Sequence, residues 1–242
     1  MSVRVGLCGF TMAMEDYALH FPVVEVQHTF YDPPGDDMLR RWLAHTPRSL
    51  EFTMKVWQLV THSAASPTYR RLKHPLAPGA EPGFFRDSPA VAQGWQRSLG
   101  CADVLGATAM LFQCPASFTP DAENVARLRR FFERIARPRA RLLWEPRGAA
   151  WVKAKTLALA LCRDLDLVHV VDPFVTPPER GIPVYWRLHG ISGPRHSYSD
   201  GELQQLHTML RTAEAPAPAY VMFNNLPRVG DAKRFSRMLS KG

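Results

Sequence analysis

Four ionisable residues sit in apolar runs at positions where an alternating strand turns them away from its packed face. Glu25 alternates with Val24 and Val26, Lys55 with Met54 and Val56, Glu145 follows Trp144, and Arg187 separates Trp186 from Leu188. In a closed barrel one strand parity packs on helices and the other faces the lumen. Burying an ion costs several kcal/mol, roughly, unless it is paired. These four residues must therefore satisfy one another or a ligand. Gln27, Lys55, Gln113, Glu145, Arg147, His189 and Asn224 lie near the C-terminal ends of such runs and would ring a polar mouth. A set of this kind supports acid–base chemistry on an anion. Lys55, Arg147 and Arg187 would hold phosphate or carboxylate, the arginines in bidentate fashion. Glu145 or Glu25 would act as general base, and His189 as acid or electrophilic donor. The competing reading is a lattice of ion pairs that fixes the fold and binds nothing.

Other chemistries find less support. The possible metal ligands Glu25, His62, Glu145, Asp172 and His189 have no short helical spacing, and Lys55 and Arg187 already supply positive charge. Neither a metal nor an organic cofactor is expected. A GxSxG elbow, a GxGxxG fingerprint and a Walker loop are all absent from the sequence. What remains for an enzyme is a metal-independent hydrolase, lyase or isomerase acting on an anionic substrate.

The elements that must position these residues alternate along the whole chain. Eight short apolar or alternating runs recur at 3–9, 23–27, 50–56, 107–113, 141–145, 167–172, 184–190 and 220–225, each followed by a helical or irregular segment. Eight is the number that a (β/α)8 TIM barrel needs, and 242 residues fit one such domain spanning 1–242. Val125, Leu128, Phe132 and Ile135 share one face of a helix begun by Thr119-Pro120-Asp121, with Arg127, Arg130, Arg134 and Arg137 on a second stripe. The later arginines of that stripe are expected far from the mouth, as a solvated face. Further helix signals lie at 37–45, 89–103, 153–164 and 200–211.

The longest irregular connection, 63–88, follows the third strand, where long loops shape ligand sites. Within it Arg70, Arg71, Lys73, His74 and Arg86 interleave with Tyr69, Phe84 and Phe85, a mixture able to contact phosphates and stack bases. Nucleic-acid binding or processing is therefore the alternative function, and a non-catalytic scaffold the third.

A formal charge of +8 favours anionic partners, and 46% hydrophobic with 21% charged residues excludes disordered and fibrous classes. Cys8, Cys101, Cys114 and Cys162 lack CxxC spacing and read as buried reduced thiols. No secretory signal or apolar span of membrane length is visible. The expectation is a cytoplasmic protein without a membrane partner. Oligomeric state is not legible.

The same residues carry a family resemblance. VEVQHTFYDPP at 24–34, FTMKVWQLVTH at 52–62, LFQCPASF at 111–118, WEPRGAAW at 144–151, YWRLHG at 185–190, YSDGEL at 198–203 and FNN at 223–225 together resemble the YecE-like, domain-of-unknown-function 72 family. That resemblance covers nearly the whole chain and implies a TIM barrel of unassigned activity. It adds Tyr31, His62 and Asn225 to the ligand-binding set, beside Thr29 and Thr61, and reinforces Glu25, Lys55, Gln113, Glu145, Arg147, Arg187, His189 and Asn224. The chain departs from the family at Gln27, Gly148 and Leu226, where the family carries Asn, His, and Asp or His. Its first βα loop after Gly9 is also shorter than the family's. These departures gather at the expected mouth.

Overall fold

The structure, a computed structural model, describes residues 2–240. Eight parallel strands hydrogen-bond in chain order and close into a barrel. They are β1 (Val3–Cys8), β2 (Val23–Val26), β3 (Glu51–Lys55), β4 (Ala109–Gln113), β5 (Arg141–Glu145), β6 (Val168–Val171), β7 (Tyr185–Leu188) and β8 (Ala219–Phe223). The helices are α1 (Met14–Ala18), α2 (His28–Tyr31), α3 (Asp36–Ala44), α4 (Gln58–Thr61), α5 (Pro89–Leu105), α6 (Ala122–Arg134), α7 (Ala149–Lys153), α8 (Lys155–Asp164), α9 (Asp200–Thr212) and α10 (Arg228–Leu239). The architecture is the (β/α)8 barrel that the alternation implies.

Backbone contacts divide the chain into two compact units. The first comprises Met1–Glu25, His45–Glu51 and Val168–Gly242; the second comprises Val26–Ala44 and Phe52–Leu167. In the first unit β8 pairs with β1 from Val3↔Ala219 to Leu7↔Phe223, and with β7 from Tyr185↔Tyr220 to Leu188↔Phe223. Tyr17 of the short α1 is fully buried; its hydroxyl accepts from Leu7 N at 2.9 Å and donates to Val23 O at 2.8 Å. The shortened first loop thus closes with one helical turn that ties β1 to β2. Near the start of β1, Arg4 pairs with Glu51 at 3.0 Å, and Tyr220 donates to the same carboxylate at 2.7 Å.

The second unit packs its strands on an aromatic layer. Phe85, Phe112 and Phe132 meet with ring centroids 4.9 to 6.1 Å apart, and Trp95 lies 5.6 Å from Phe112. Burial of each such ring contributes about 1.5–3 kcal/mol to the unit's cohesion. Helix ends follow local chemistry. Ser88 caps α5 through Val91 N, Pro89 opens it, and Gly106 at φ 60° closes it. Asp121 caps α6 through Asn124 N at 2.9 Å.

Two expectations for helices are corrected. α6 stops at Arg134, so Arg137 lies beyond it and donates to the carbonyls of Leu165 and Asp166. Arg134 itself makes a surface ion pair with Asp87, at 2.7 Å, and is exposed, as expected of that stripe. The helical signal at 153–164 resolves into two pieces broken at Ala154.

Candidate functional site

In the second unit, β3 ends on Lys55, whose side chain is drawn inward by its parity and is 5% exposed. Thr29 donates to the Lys55 carbonyl at 2.7 Å and so pins α2 against β3. This docking sets Phe30 under the lysine, with Nζ 3.7 Å from the ring centroid. His62, the residue that ends α4, takes the same ring from another side, with centroids 4.9 Å apart and planes at 76°. Its backbone is fixed at both ends: its N–H donates to Gln58 O, and its carbonyl accepts from Tyr69 at 2.7 Å. The imidazole Nδ1 is bonded to the Thr61 hydroxyl at 2.8 Å. Burial first, then the charges of Lys55 and Arg147, hold the His62 pKa down at about 3. His62 is therefore a neutral imidazole among cations at ordinary pH.

β5 delivers Glu145 beside this group. Gln113 and Glu145 are register partners at the ends of β4 and β5, both buried. Arg147 Nε lies 3.8 Å from Glu145 Oε1, with the arginine side chain 44% exposed and the carboxylate buried. Gly148 follows at φ 99°, and a Cβ there would come within 2.8 Å of the Ala116 Cβ. The glycine that replaces the family's histidine is thus required by a turn packed against the β4 exit. Of the residues expected from the sequence, Lys55 and Arg147 come within electrostatic reach of His62, and Glu145 within reach of Arg147. Gln27 and Tyr31 are half-buried on α2 and beside it; the Tyr31 ring carries Arg71 at 4.2 Å, and its carbonyl accepts from Gln58.

In the first unit the buried charges are already matched. Arg187 donates from Nη2 to Glu25 Oε1 at 2.8 Å and from Nε to Oε2 at 3.1 Å, and Tyr185 donates to Oε2 at 2.9 Å. The two charged side chains are 1% and 0% exposed. Arg187 Nη2 also lies 3.6 Å from Cys8 Sγ, and burial pushes the Cys8 thiol pKa up. This is the geometry of a bidentate interior ion pair. Further along β7, His189 donates its backbone N–H to Asp172 at 2.9 Å, and its Nδ1 faces Asn224 Nδ2 at 3.1 Å. Both residues are half-buried.

Asn225 turns elsewhere. Fully buried, its amide donates to Asp231 at 2.6 Å and to His196 O at 2.8 Å. Asp231 also accepts from Ser197, the Tyr198 backbone N–H and Arg234, at 2.8 to 3.2 Å. The second asparagine of FNN is a brace between the β8 exit and α10. Sequence reasoning passed over this acceptor, although Asp231 follows Asn225 at a short spacing on the first turn of α10. It also passed over Phe30, the shared floor of Lys55 and His62.

Among the described residues no three His, Cys, Asp or Glu side chains form a metal-ligating group, and no helix is long and apolar enough to cross a membrane.

Residues 10–241 match the family described as "Protein of unknown function DUF72". The chain belongs to the DUF72 family. Among solved structures, a DUF72 protein from Enterococcus faecalis is 22% identical over 99% of this chain and 98% of that one, with a TM-score of 0.68. A DUF72 protein from Thermotoga maritima is 20% identical over 99% and 100%, with a TM-score of 0.69. D-Psicose 3-epimerase, solved in the presence of D-fructose, shares the fold at 13% identity and a TM-score of 0.62, with 97% of each chain covered. No curated protein matches the sequence. As a DUF72 member the chain inherits the barrel but no assigned reaction, so its chemistry must be argued from its own side chains.

Proposed function

We propose that this DUF72 protein binds a small anionic ligand, phosphorylated or carboxylated, and acts on it by metal-independent acid–base chemistry at the exits of β3 and β5. Arg147 and Lys55 hold the anion, His62 donates or accepts a neutral hydrogen bond, and Glu145 is the general base. The observation that carries this reading is that Lys55 and His62 share the Phe30 ring while Arg147, 3.8 Å from the buried Glu145, acts on the same imidazole. An imidazole kept neutral first by burial and then by Lys55 and Arg147 adds no positive charge to the group, and an entering anion meets two cations there. In the other unit, His189 and Asn224 form a separate hydrogen-bonded pair suited to proton donation. Glu25 and Arg187 act there as a structural pair that supports β2 and β7, rather than as base and anion clamp.

The nucleic-acid alternative is not favoured by the geometry of the 63–88 connection. Tyr69 is spent on the carbonyls of Gln58 and His62, and Phe85 is buried among Phe112, Phe118 and Phe132. These rings are not displayed for base stacking.

Thermal unfolding in the presence of inorganic phosphate, sugar phosphates, nucleotides and carboxylates tests the reading. A ligand at about 100 times its Kd stabilises the folded state by about 2.7 kcal/mol, a rise in Tm of roughly 5–10 °C for a chain of this size. Arg147→Ala should abolish the shift measured against its own unliganded Tm, since the side chain is 44% exposed and within reach of a ligand. Wild-type protein indifferent to every anion, or an Arg147→Ala variant that responds as wild type does, would overturn it.

A further inference from the structure

Lys55 stands apart from the chain's other cations. The sequence places 24 arginines against six lysines, yet among the described residues Lys55 is the one buried lysine. For holding a carboxylate or phosphate, arginine is the better residue, with a planar fork of donors. A guanidinium does not add to carbonyl groups, whereas a primary amine does. An arginine-rich chain that retains a lysine at a buried strand end has kept the one thing that distinguishes the two side chains.

The surroundings of Lys55 suit that chemistry. Its Nζ lies on the Phe30 face at 3.7 Å, shielded from water. A neutral imidazole, His62, shares the same ring and is close enough for the lysine charge to act on it. Arg147, partly exposed to solvent, acts on the same imidazole and is placed to grip an acidic group.

We propose that Lys55 forms an imine with its ligand, and that the ligand is a small carbonyl compound bearing a carboxylate or phosphate, namely an oxo acid or a phosphorylated aldose or ketose. This rests on the anion-binding reading above and narrows it to a substrate class. Lys55 passes one proton to Glu145, the base of the proposed site, and the freed lone pair adds to the carbonyl carbon while the C=O π pair moves to oxygen. The nitrogen then loses a second proton; the oxygen takes up both protons and leaves as water as the nitrogen lone pair forms C=N. An ammonium and a carbonyl have become a protonated iminium and water, with no oxidant or reductant consumed. Arg147 holds the acidic group throughout.

Reductive trapping decides the matter. The full chain is incubated with glyoxylate, pyruvate or dihydroxyacetone phosphate, with and without sodium borohydride, and the adduct is located by peptide mass mapping. The expected result is one borohydride-dependent adduct on Lys55, at least about tenfold above that on any other lysine. Lys55→Arg should lose it, and Arg147→Ala should reduce it for these acids but not for acetaldehyde. Mapping on wild type stands alone if Lys55→Arg fails to fold. Adducts spread evenly over surface lysines, or none at all, overturn the imine. If those same compounds and phosphate still raise Tm, the anion-binding reading survives without it; if none does, both readings fall.

Discussion

Glu25→Ala should cost the protein a large part of its stability. The carboxylate accepts two hydrogen bonds from Arg187, at 2.8 and 3.1 Å, and one from Tyr185, at 2.9 Å, where both ionic side chains are shut off from water. Removing one partner of a buried pair strands the other charge, at about 3–5 kcal/mol. The orphaned tyrosine hydroxyl adds to this, for a loss of roughly 4–6 kcal/mol once the sharing of one carboxylate is allowed for. At about 2–4 °C per kcal/mol for a chain of this length, Tm should fall by roughly 10–20 °C. The loss is comparable to the whole stability of many domains, so the measurement calls for urea and thermal unfolding followed by circular dichroism. The double variant Glu25→Leu with Arg187→Met should recover most of it, because an apolar pair strands nothing. A Glu25→Ala cost below about 1 kcal/mol would refute the assignment of Glu25 to the interior pair. Glu25→Gln that leaves Tm unchanged but abolishes a ligand-induced shift would return Glu25 to the catalytic set.

Three further outcomes follow from the same geometry. The folded-state pKa of His62, near 3, lies below its ordinary 6.5, so below pH 6.5 the unfolded chain takes up a proton that the folded chain refuses; stability is lost as pH falls through that window and is unaffected above it. Relative to wild type, His62→Gln should gain about 2 kcal/mol between pH 7 and pH 5 by urea unfolding, and a pH-independent difference would show that His62 charges normally in the fold. Asp231→Asn should destabilise by about 2–4 kcal/mol through its lost acceptor and ion pair, with the affinity for any anion unchanged; an affinity loss without a stability loss would place Asn225 and Asp231 at the ligand after all. Gly190→Ala puts a Cβ 2.1 Å from the Gly193 carbonyl oxygen at φ 90°, whereas Gly181 at φ 73° has open space, so by thermal unfolding the first should cost clearly more than the roughly 1 kcal/mol of the second. Equal costs would mean that the 190–193 turn yields freely.

Most of the barrel was legible because each strand carries its own alternation. The outward residues of β3, Phe52 and Met54, and of β5, Leu142 and Trp144, are buried as their parity requires. α10 escaped notice for local reasons: it begins on Pro227, has Gly230 in its first turn, and is crowded with Asp231, Lys233, Arg234 and Arg237. Only packing of Ala232 and Phe235 gives it an apolar side. In the 63–88 connection the residue types were read correctly but not their direction. Nothing in a string of Tyr, Phe and Arg says that Phe85 donates its N–H to Val60 O and thereby turns its ring inward. Asn224 and Asn225 illustrate the same limit, since adjacent residues just past a strand face opposite ways, and one reaches His189 while the other reaches Asp231.

The two units place buried charge differently. In the first, Glu25 and Arg187 meet in fork-to-fork geometry, and a tyrosine occupies a further site on the carboxylate, an arrangement that lowers the energy of the empty protein. In the second, burial first and then the charges of Lys55 and Arg147 keep one imidazole neutral, with Glu145 3.8 Å from Arg147. A histidine barred from protonation subtracts stability below pH 6.5. If stability alone were at stake, an apolar residue at position 62 would not bring this cost and would pack on Phe30 as well. A histidine kept neutral at that cost, beside Lys55 and near a barrel strand's end, fits the proposed anion site better than a purely structural role.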